Sequence, residues 1–373
     1  MKAILIYDYF LNSVSNNPSI GGIQTYIQDL SSIFCDLGYS VEIYQKGENV
    51  GKSSFNGIDV NFLVKREESQ KKFKKAILKK LKLENPLDCL IVFMTHTLTF
   101  QIKGFNTISI QHGIYWDLPN NSRNFNSKLQ LLFRLKHVFF TLKRMNSVPN
   151  HVFVDYNFLN WIRTQQYALK IKYNVIPNYA NYLNEVPPTN SKIKILFARR
   201  LEEYRGTRIF ADSIRALINK NYDFDVIIAG NGPDKKYLED YFKDDKCVSF
   251  IEYKHGEQEQ IMSNCDISVV CSTGSEGTSL SLLESMGCGC AVVCTNVGGM
   301  TNIVLDGFNG LICDTNSDSL ASKLEILLND KDKIQFLSKN AIETVKESFS
   351  KQKWESEWRS FILKVSNKGG NHA

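Results

Sequence analysis

Two carboxylates open the chemical reading of this 373-residue chain. Glu276 and Glu284 stand eight positions apart in the run Ser275-Glu276-Gly277-Thr278-Ser279-Leu280-Ser281-Leu282-Leu283-Glu284. The first is followed directly by glycine, and the residues between them carry the apolar spacing of a helix. Residues 266–271 read as a short buried strand, closed by Ser272-Thr273-Gly274. The unit is therefore strand, small-residue turn, helix. Unpaired N–H groups and the macrodipole make such a helix start an anion site. Carboxylates beside it would be poor design for binding phosphate alone, but they accept hydrogen bonds well from sugar hydroxyls. Phosphate together with hydroxyls is the chemistry of a nucleotide-sugar. The bland alternative is an amphipathic helix bearing two solvated glutamates.

Carboxylate pairs also hydrolyse glycosides, at separations of about 5–5.5 Å or about 6.5–9.5 Å. If residues 276–284 were wholly helical, a rise of about 1.5 Å per residue would separate the two glutamates by ~12 Å on similar faces. That geometry suits two ends of one extended ligand and not a hydrolytic pair. A second cluster, Ala198-Arg199-Arg200-Leu201-Glu202-Glu203-Tyr204-Arg205-Gly206-Thr207, places arginines at the end of a strand and a Gly-Thr helix start after them. Arginine is always charged and grips phosphate oxygens bidentately, so this cluster suits a diphosphate. Its alternative is ordinary surface charge. Its place at a strand carboxyl end, where open α/β sheets bind ligands, favours a site.

Strands alternate with helices throughout. Residues 3–7, 39–44, 89–93, 107–110, 152–154 and 173–176 read as strands, with a helix over 23–36 preceded by a loop holding Pro18 and Gly21-Gly22. Loops at strand ends carry Thr95-His96-Thr97 and Gln111-His112-Gly113. After a linker at 178–191 the pattern restarts, with strands at 193–198, 225–229, 248–251, 267–271 and 291–294. Helices are predicted over 207–220, 234–242, 256–264 and 279–286, and three more close the chain over 317–329, 331–348 and 351–365. This implies two α/β domains with parallel sheets, in keeping with a length beyond what one hydrophobic core normally serves. The expected division is residues 1–180, residues 181–348, and a C-terminal helix in 349–373 that packs back on the first domain.

Several suggestive patterns carry nothing. Gly47-Glu48-Asn49-Val50-Gly51-Lys52-Ser53 has one residue too few between its glycines for a P-loop, and strand rather than helix follows. Gly230-Asn231-Gly232-Pro233 lacks a third glycine and reads as a turn. The six histidines do not cluster, and the nine cysteines lack zinc spacing and read as reduced and buried. The apolar run at the N-terminus is too short for a signal peptide and is interrupted by Asp8, and the uncharged run 285–305 is too rich in Gly and Asn to span a membrane.

In this order and spacing the segments resemble the family 4 retaining glycosyltransferases of the GT-B type, bacterial surface-polysaccharide branch, most strongly over residues 199–314. Glu276 and Glu284 resemble that family's donor-site signature. Ala291-Val292-Val293, Val297-Gly298-Gly299 and Asp306-Gly307-Phe308-Asn309-Gly310 resemble the segments after it. Arg200 and Arg205-Gly206 correspond to its Arg and Lys-Gly, Gly21-Gly22 to its diglycine loop, and Pro177-Asn178 to its interdomain turn. The resemblance implies two Rossmann-like domains with parallel sheets facing across a cleft, and transfer of a hexosyl unit, from a UDP-sugar by preference, to a lipid-linked or glycan acceptor in surface-polysaccharide or O-antigen synthesis. Arg200 and Arg205 would neutralise the diphosphate, Glu284 would hold the ribose, Glu276 and His112 would meet the sugar, and Gly21, Gly22, Gly277, Thr278, Ser279 and Leu280 would line the donor site. No metal or other cofactor is expected. Arg205 in place of Lys, Asn302 where Glu is frequent, and Tyr179 and Asn181 after the turn depart from the pattern. A same-fold epimerase and a non-catalytic nucleotide-sugar binder are the other readings.

The charge of +6 is unevenly spread: residues 65–83 carry +7 and residues 123–144 carry +6, so the remainder sums to −7. On a helical wheel Leu131, Leu132, Leu135, Val138, Phe139 and Leu142 form one arc, expected to meet the core, with Leu129, Phe133 and Phe140 opposite. Phe73, Ile77 and Leu81 likewise oppose a lysine-rich surface. Basic helices with spare apolar residues suit an anionic membrane surface, so a peripheral place at the cytoplasmic leaflet is expected. The alternative is solvated lysines on buried helices. No nucleic-acid module is recognisable.

Overall fold

The computed structural model describes residues 1–15, 17, 21–113, 127–165, 171–253, 256–274 and 276–366; the side chains of 127–130 are not described. Pro18 and Arg123 therefore lie outside the described residues. The first half contains β1 (Lys2–Ile6), α1 (Gly22–Asp36), β2 (Ser40–Gly47), β3 (Gly51–Phe55), β4 (Ile58–Lys65), α2 (Gln70–Leu81), β5 (Cys89–Phe93), β6 (Asn106–Gln111), α3 (Ser127–Met145), β7 (Asn150–Phe153), α4 (Tyr156–Gln165) and β8 (Lys172–Val175). Its eight strands are ordered β3-β4-β2-β1-β5-β6-β7-β8. All pair in parallel except β3, which folds back on β4 as an antiparallel edge. The discarded Gly51-Lys52-Ser53 pattern lies in that edge strand.

The second half contains β9 (Ile193–Ala198), α5 (Thr207–Asn219), β10 (Phe224–Ala229), α6 (Lys235–Tyr241), β11 (Val248–Ile251), α7 (Gln258–Met262), β12 (Ile267–Val270), α8 (Leu280–Gly287), β13 (Ala291–Thr295) and β14 (Leu311–Cys313). Three helices follow: α9 (Ser317–Leu328), α10 (Lys331–Ser348) and α11 (Lys351–Ser366). Six parallel strands are ordered β11-β10-β9-β12-β13-β14, the doubly wound order in which direction of travel reverses between β9 and β12. The central strands β5, β12 and β13 are buried along their whole length, as strands covered on both faces must be.

The C-terminal helix α11 does not stay with the second sheet. Trp354, Trp358, Phe361, Ile362 and Val365 join the core of the first sheet, against Tyr26, Leu30 and Phe34 of α1. Trp358 Nε1 donates to the Tyr26 hydroxyl at 2.9 Å, Lys351 pairs with Asp29 at 2.9 Å, and Arg359 pairs with Asp36 at 2.5 Å. Tyr179, on the segment between the two halves, donates to Asp29 and lies 4.9 Å from the Trp354 ring. One aromatic cluster thus ties the interdomain segment, α1 and α11 together.

The two basic helices sit differently from expectation. On α2 the apolar stripe of Phe73, Ile77 and Leu81 is consumed by the core, leaving a lysine face outside. On α3 the arc expected to be the core face is the outer one: Leu131, Leu132, Leu135 and Phe139 are each more than half exposed. The helix rests on Thr141 and Met145, with Val138 and Leu142 half-buried. Helical period fixes which residues share a face, but not which face meets the rest of the domain.

Removing the Trp358 ring deletes a fully buried side chain and a donor. Trp358→Ala is expected to cost about 3–5 kcal/mol, read as a lowered denaturation midpoint in urea.

Candidate functional site

The carboxyl ends of β9 and β12, adjacent strands at the point where the second sheet reverses, converge on one carboxylate. Arg199 is the first residue beyond β9, and a 3-10 turn, Glu203–Arg205, returns Arg205 beside it. Gly206 makes that return feasible: its φ is +89°, and a Cβ there would lie 1.9 Å from the Cys271 carbonyl oxygen. On the other side, Ser272 and Glu276 follow β12. Arg199 Nη2 donates to Glu276 Oε1 at 2.7 Å, and Arg205 Nη1 and Ser272 Oγ donate to the same oxygen.

Burial by itself would raise the Glu276 carboxyl. The Arg199 and Arg205 charges, with hydrogen bonds from Arg205 and Ser272, reverse this and hold it at about 2. Glu276 is a permanent anion at neutral pH and, with its charge so strongly stabilised, a poor nucleophile.

Arg200 is placed elsewhere. Successive positions beyond a strand point to opposite sides: the Arg199 side chain is 4% exposed and meets Glu276, whereas that of Arg200 is 70% exposed and pairs with Glu202. The spacing puts both arginines at the strand end and the resemblance assigns the diphosphate to Arg200, but no signal in the Arg-Arg pair distinguishes the inward member. The helix predicted over 279–286 is observed as α8 from Leu280 to Gly287, so Glu276 lies on the preceding loop and the axial separation of ~12 Å for a wholly helical stretch does not describe the pair.

The first domain closes directly over this loop. Gly277 has no room for a side chain, since a Cβ would lie 2.6 Å from the His112 carbonyl oxygen and 2.9 Å from Val154 Cγ2. Thr278 donates from its hydroxyl to the Val154 carbonyl, and Asn178 Nδ2 donates to the Thr278 carbonyl at 2.7 Å. Gly22, the first residue of α1, meets Leu280, the first of α8: a Cβ on Gly22 would lie 2.5 Å from Leu280 Cδ1. Gly21 caps α1 without a side-chain hydrogen bond, and Ser279 does the same for α8. Two helix N-termini, α1 and α8, therefore meet, and Glu276 stands on the loop that leads into the second.

His112 follows β6, with Nε2 at 3.0 Å from the Met94 carbonyl and its ring edge-on to Tyr26 at 5.2 Å. Facing a carbonyl, Nε2 carries the proton, which leaves Nδ1 as the acceptor. Burial pushes the imidazole down to about 4, so it is neutral. Trp358, Tyr26 and His112 make a continuous aromatic path from α11 to the seam. Glu284, one helical turn and more along α8, is half-buried and receives a 3.5 Å contact from Gln258 Nε2. Burial pushes its carboxyl up to about 7. Among the described residues no three His, Cys, Asp or Glu side chains come together as a metal site would require.

Comparison with known proteins bears on the fold. Residues 181–344 match the family model described as glycosyl transferases group 1. An uncharacterized glycosyltransferase of Methanocaldococcus jannaschii is 32% identical over 165 residues, covering 43% of this chain and 44% of the relative. The chain thus spans under half the length of that curated relative. Sucrose-phosphate synthase from Thermosynechococcus elongatus superposes with a TM-score of 0.75 at 15% identity, covering 98% of this chain and 99% of the other. The Anabaena protein HepE, solved with UDP-glucose, superposes with a TM-score of 0.71 at 15% identity over 98% of this chain and 100% of its own. The architecture is the GT-B fold: two α/β domains, each built on a parallel sheet, of the kind shared by these glycosyltransferases.

In the role the resemblance implies, Glu284 would hold a ribose hydroxyl, which bonds best to an ionised carboxylate, and burial lifts that carboxyl to about 7. Nucleotide affinity is therefore expected to rise as pH increases from 6 to 8, with release of a proton on binding. Isothermal titration should show this slope in the native protein and its loss in Glu284→Gln.

Proposed function

We propose that the protein is a retaining glycosyltransferase that moves a hexosyl unit from a nucleotide-sugar, UDP-sugars favoured, to a lipid-linked or glycan acceptor in the synthesis of a surface polysaccharide such as O-antigen. The observation that carries this reading is the charge cluster at the seam of a GT-B fold: two guanidiniums on one ionised carboxylate, on the loop that leads into α8, whose start meets that of α1. The group 1 match over residues 181–344 supports the donor class, and the UDP-glucose bound to HepE supports the choice of base.

Charge developing on the departing diphosphate meets Arg205 and the amides at the start of α8, with Arg200 joining from its surface pair with Glu202. Donors fixed in advance around a developing charge lower the barrier without reorganisation. Glu284 holds the ribose. Oε2 of Glu276 and Nδ1 of His112 accept from sugar hydroxyls, Gly21 and Gly22 let main chain approach the phosphates, and Gly277, Thr278, Ser279 and Leu280 line the donor. A carboxylate held at about 2 is ill suited to form a glycosyl-enzyme, which favours attack by the acceptor hydroxyl on the face the diphosphate leaves. The chain's own cations take the leaving-group charge, so transfer proceeds without a metal and is unchanged by EDTA.

Screening UDP-, GDP- and ADP-sugars by thermal shift and by donor hydrolysis tests the donor class. Glu276→Gln is expected to lower transfer by about 100-fold or more while nucleotide binding persists. Transfer at the native rate by that variant would overturn the site.

We further propose peripheral association with an anionic leaflet. Among the described residues no helix is long and apolar enough to cross a membrane. The supporting observation is α3, with Leu131, Leu132, Leu135 and Phe139 turned outward on a helix that has basic but no acidic residues, while the lysine face of α2 supplies charge alone. Each basic residue near such a surface contributes about 1 kcal/mol. Serine at positions 131, 135 and 139 together is expected to abolish flotation with anionic liposomes, and charge reversal over residues 71–82 to weaken it in a salt-dependent way. Unchanged flotation in both would sink the proposal.

A further inference from the structure

Glu276 is bound by more cation than one carboxylate requires, and the two arginines are not equivalent. All three donors, Arg199 Nη2, Arg205 Nη1 and Ser272 Oγ, fall on the single oxygen Oε1. The Arg199 side chain is 4% exposed, its Nη1 reaches the Arg205 carbonyl at 3.4 Å, and its Nε is buried with no partner among the described residues. Arg205 is 28% exposed, with its guanidinium 4.7 Å from the Tyr204 ring centre. An anion entering from solvent therefore meets Arg205 and cannot reach Arg199 without displacing the fold.

This asymmetry solves a problem inherent in the proposed donor site. If Arg205 turns toward a phosphate, Glu276 loses a counter-ion, and a buried carboxylate without one is strongly disfavoured. We propose that Arg199 is a positioning residue, a standing counter-ion that keeps Glu276 ionised while Arg205 moves from Glu276 to the diphosphate of the incoming donor. The proposal rests on the nucleotide-sugar reading above. Arg199 does not touch substrate; it makes the exchange of Arg205 independent of proton uptake.

Without Arg199, Arg205 is the only cation on Glu276 among the described residues. Binding of a diphosphate must then either leave Glu276 charged and unpaired or add a proton to it. Binding and protonation become linked, and affinity falls by about tenfold for each unit rise in pH as the linkage approaches one proton. The other groups facing this cluster come from several elements. Arg205 and Tyr204 lie on the turn after β9, and burial raises the Tyr204 hydroxyl. The Cys271 thiol, beyond β12, is pushed up to about 12 by burial. From the first domain come neutral His112 and Asp155, whose carboxyl burial raises to about 6. Asp155 and Glu284 do titrate near neutrality, but they are common to every variant and cancel when affinities are compared as ratios to the native protein.

The test is the affinity of UDP for the native protein, Arg199→Met, Arg199→Lys and Arg205→Met between pH 6 and 8, by isothermal titration. For Arg199→Met, the ratio of its Kd to the native Kd should climb by up to about tenfold per pH unit, with up to one more proton taken up per UDP bound than in the native protein. Arg199→Lys restores the charge and should flatten the ratio. Arg205→Met should weaken binding by a similar factor at every pH, because Glu276 keeps Arg199; this arm stands even if Arg199→Met fails to fold. A flat ratio for Arg199→Met, or a steep one for Arg205→Met, overturns the proposal while leaving the donor reading intact. Native protein that binds no nucleoside diphosphate overturns both.

Discussion

One carboxylate held between two guanidiniums at a domain seam is the constraint around which this molecule is organised. The Glu276 side chain is only 11% exposed, and a charge so nearly buried is tolerated only when paired and hydrogen-bonded. Its partners come from chain segments some seventy residues away, |i−j| being 77 for Arg199 and 71 for Arg205. The pairing therefore requires β9 and β12 to lie side by side with their carboxyl ends level, which the doubly wound strand order provides. It also requires the turn through Gly206 to press against the Cys271 carbonyl, where only glycine fits. The fold and the charge cluster are two descriptions of one arrangement.

The second constraint is closeness across the seam. Gly277 lies against the His112 carbonyl, Gly22 against Leu280, and Thr278 is bonded on both sides to groups of the first half. Small residues here let main chain meet main chain, which brings the starts of α1 and α8 to the same place. The helix α11 stabilises this from behind. By crossing to α1 it carries Trp358 to Tyr26 and so to the edge of His112. A change in that packing would be felt at the imidazole before it reached any ligand.

Much of the architecture was legible because it depends on local signals. Buried parallel strands read as continuous apolar runs, and the strands Ile193–Ala198 and Val248–Ile251 fall where those runs begin and end. Short edge elements were not legible. The strand Leu311–Cys313 has only three residues, too few for a period to be distinguished from a loop. On α3 the periodicity correctly grouped Leu131, Leu135 and Phe139, but it assigned them to the core when they face outward. A wheel ranks faces by composition, whereas the face that is buried is chosen by what the neighbouring elements leave uncovered.

The same division applies at the site. Residue type and spacing alone place Glu276 and Arg205 beyond strand ends and Glu284 on the helix that follows, at the edge where an α/β sheet presents its ligands. Only the tertiary structure decided which of two adjacent arginines meets Glu276. Arg199 and Arg200 are chemically identical and one residue apart, so nothing in their type or spacing separates them. Backbone alternation at the end of β9 turns one toward Glu276 and the other to solvent. The charge state of the two glutamates was likewise decided in three dimensions. Their side chains are the same, yet two guanidiniums hold Glu276 at about 2, and burial lifts Glu284 to about 7.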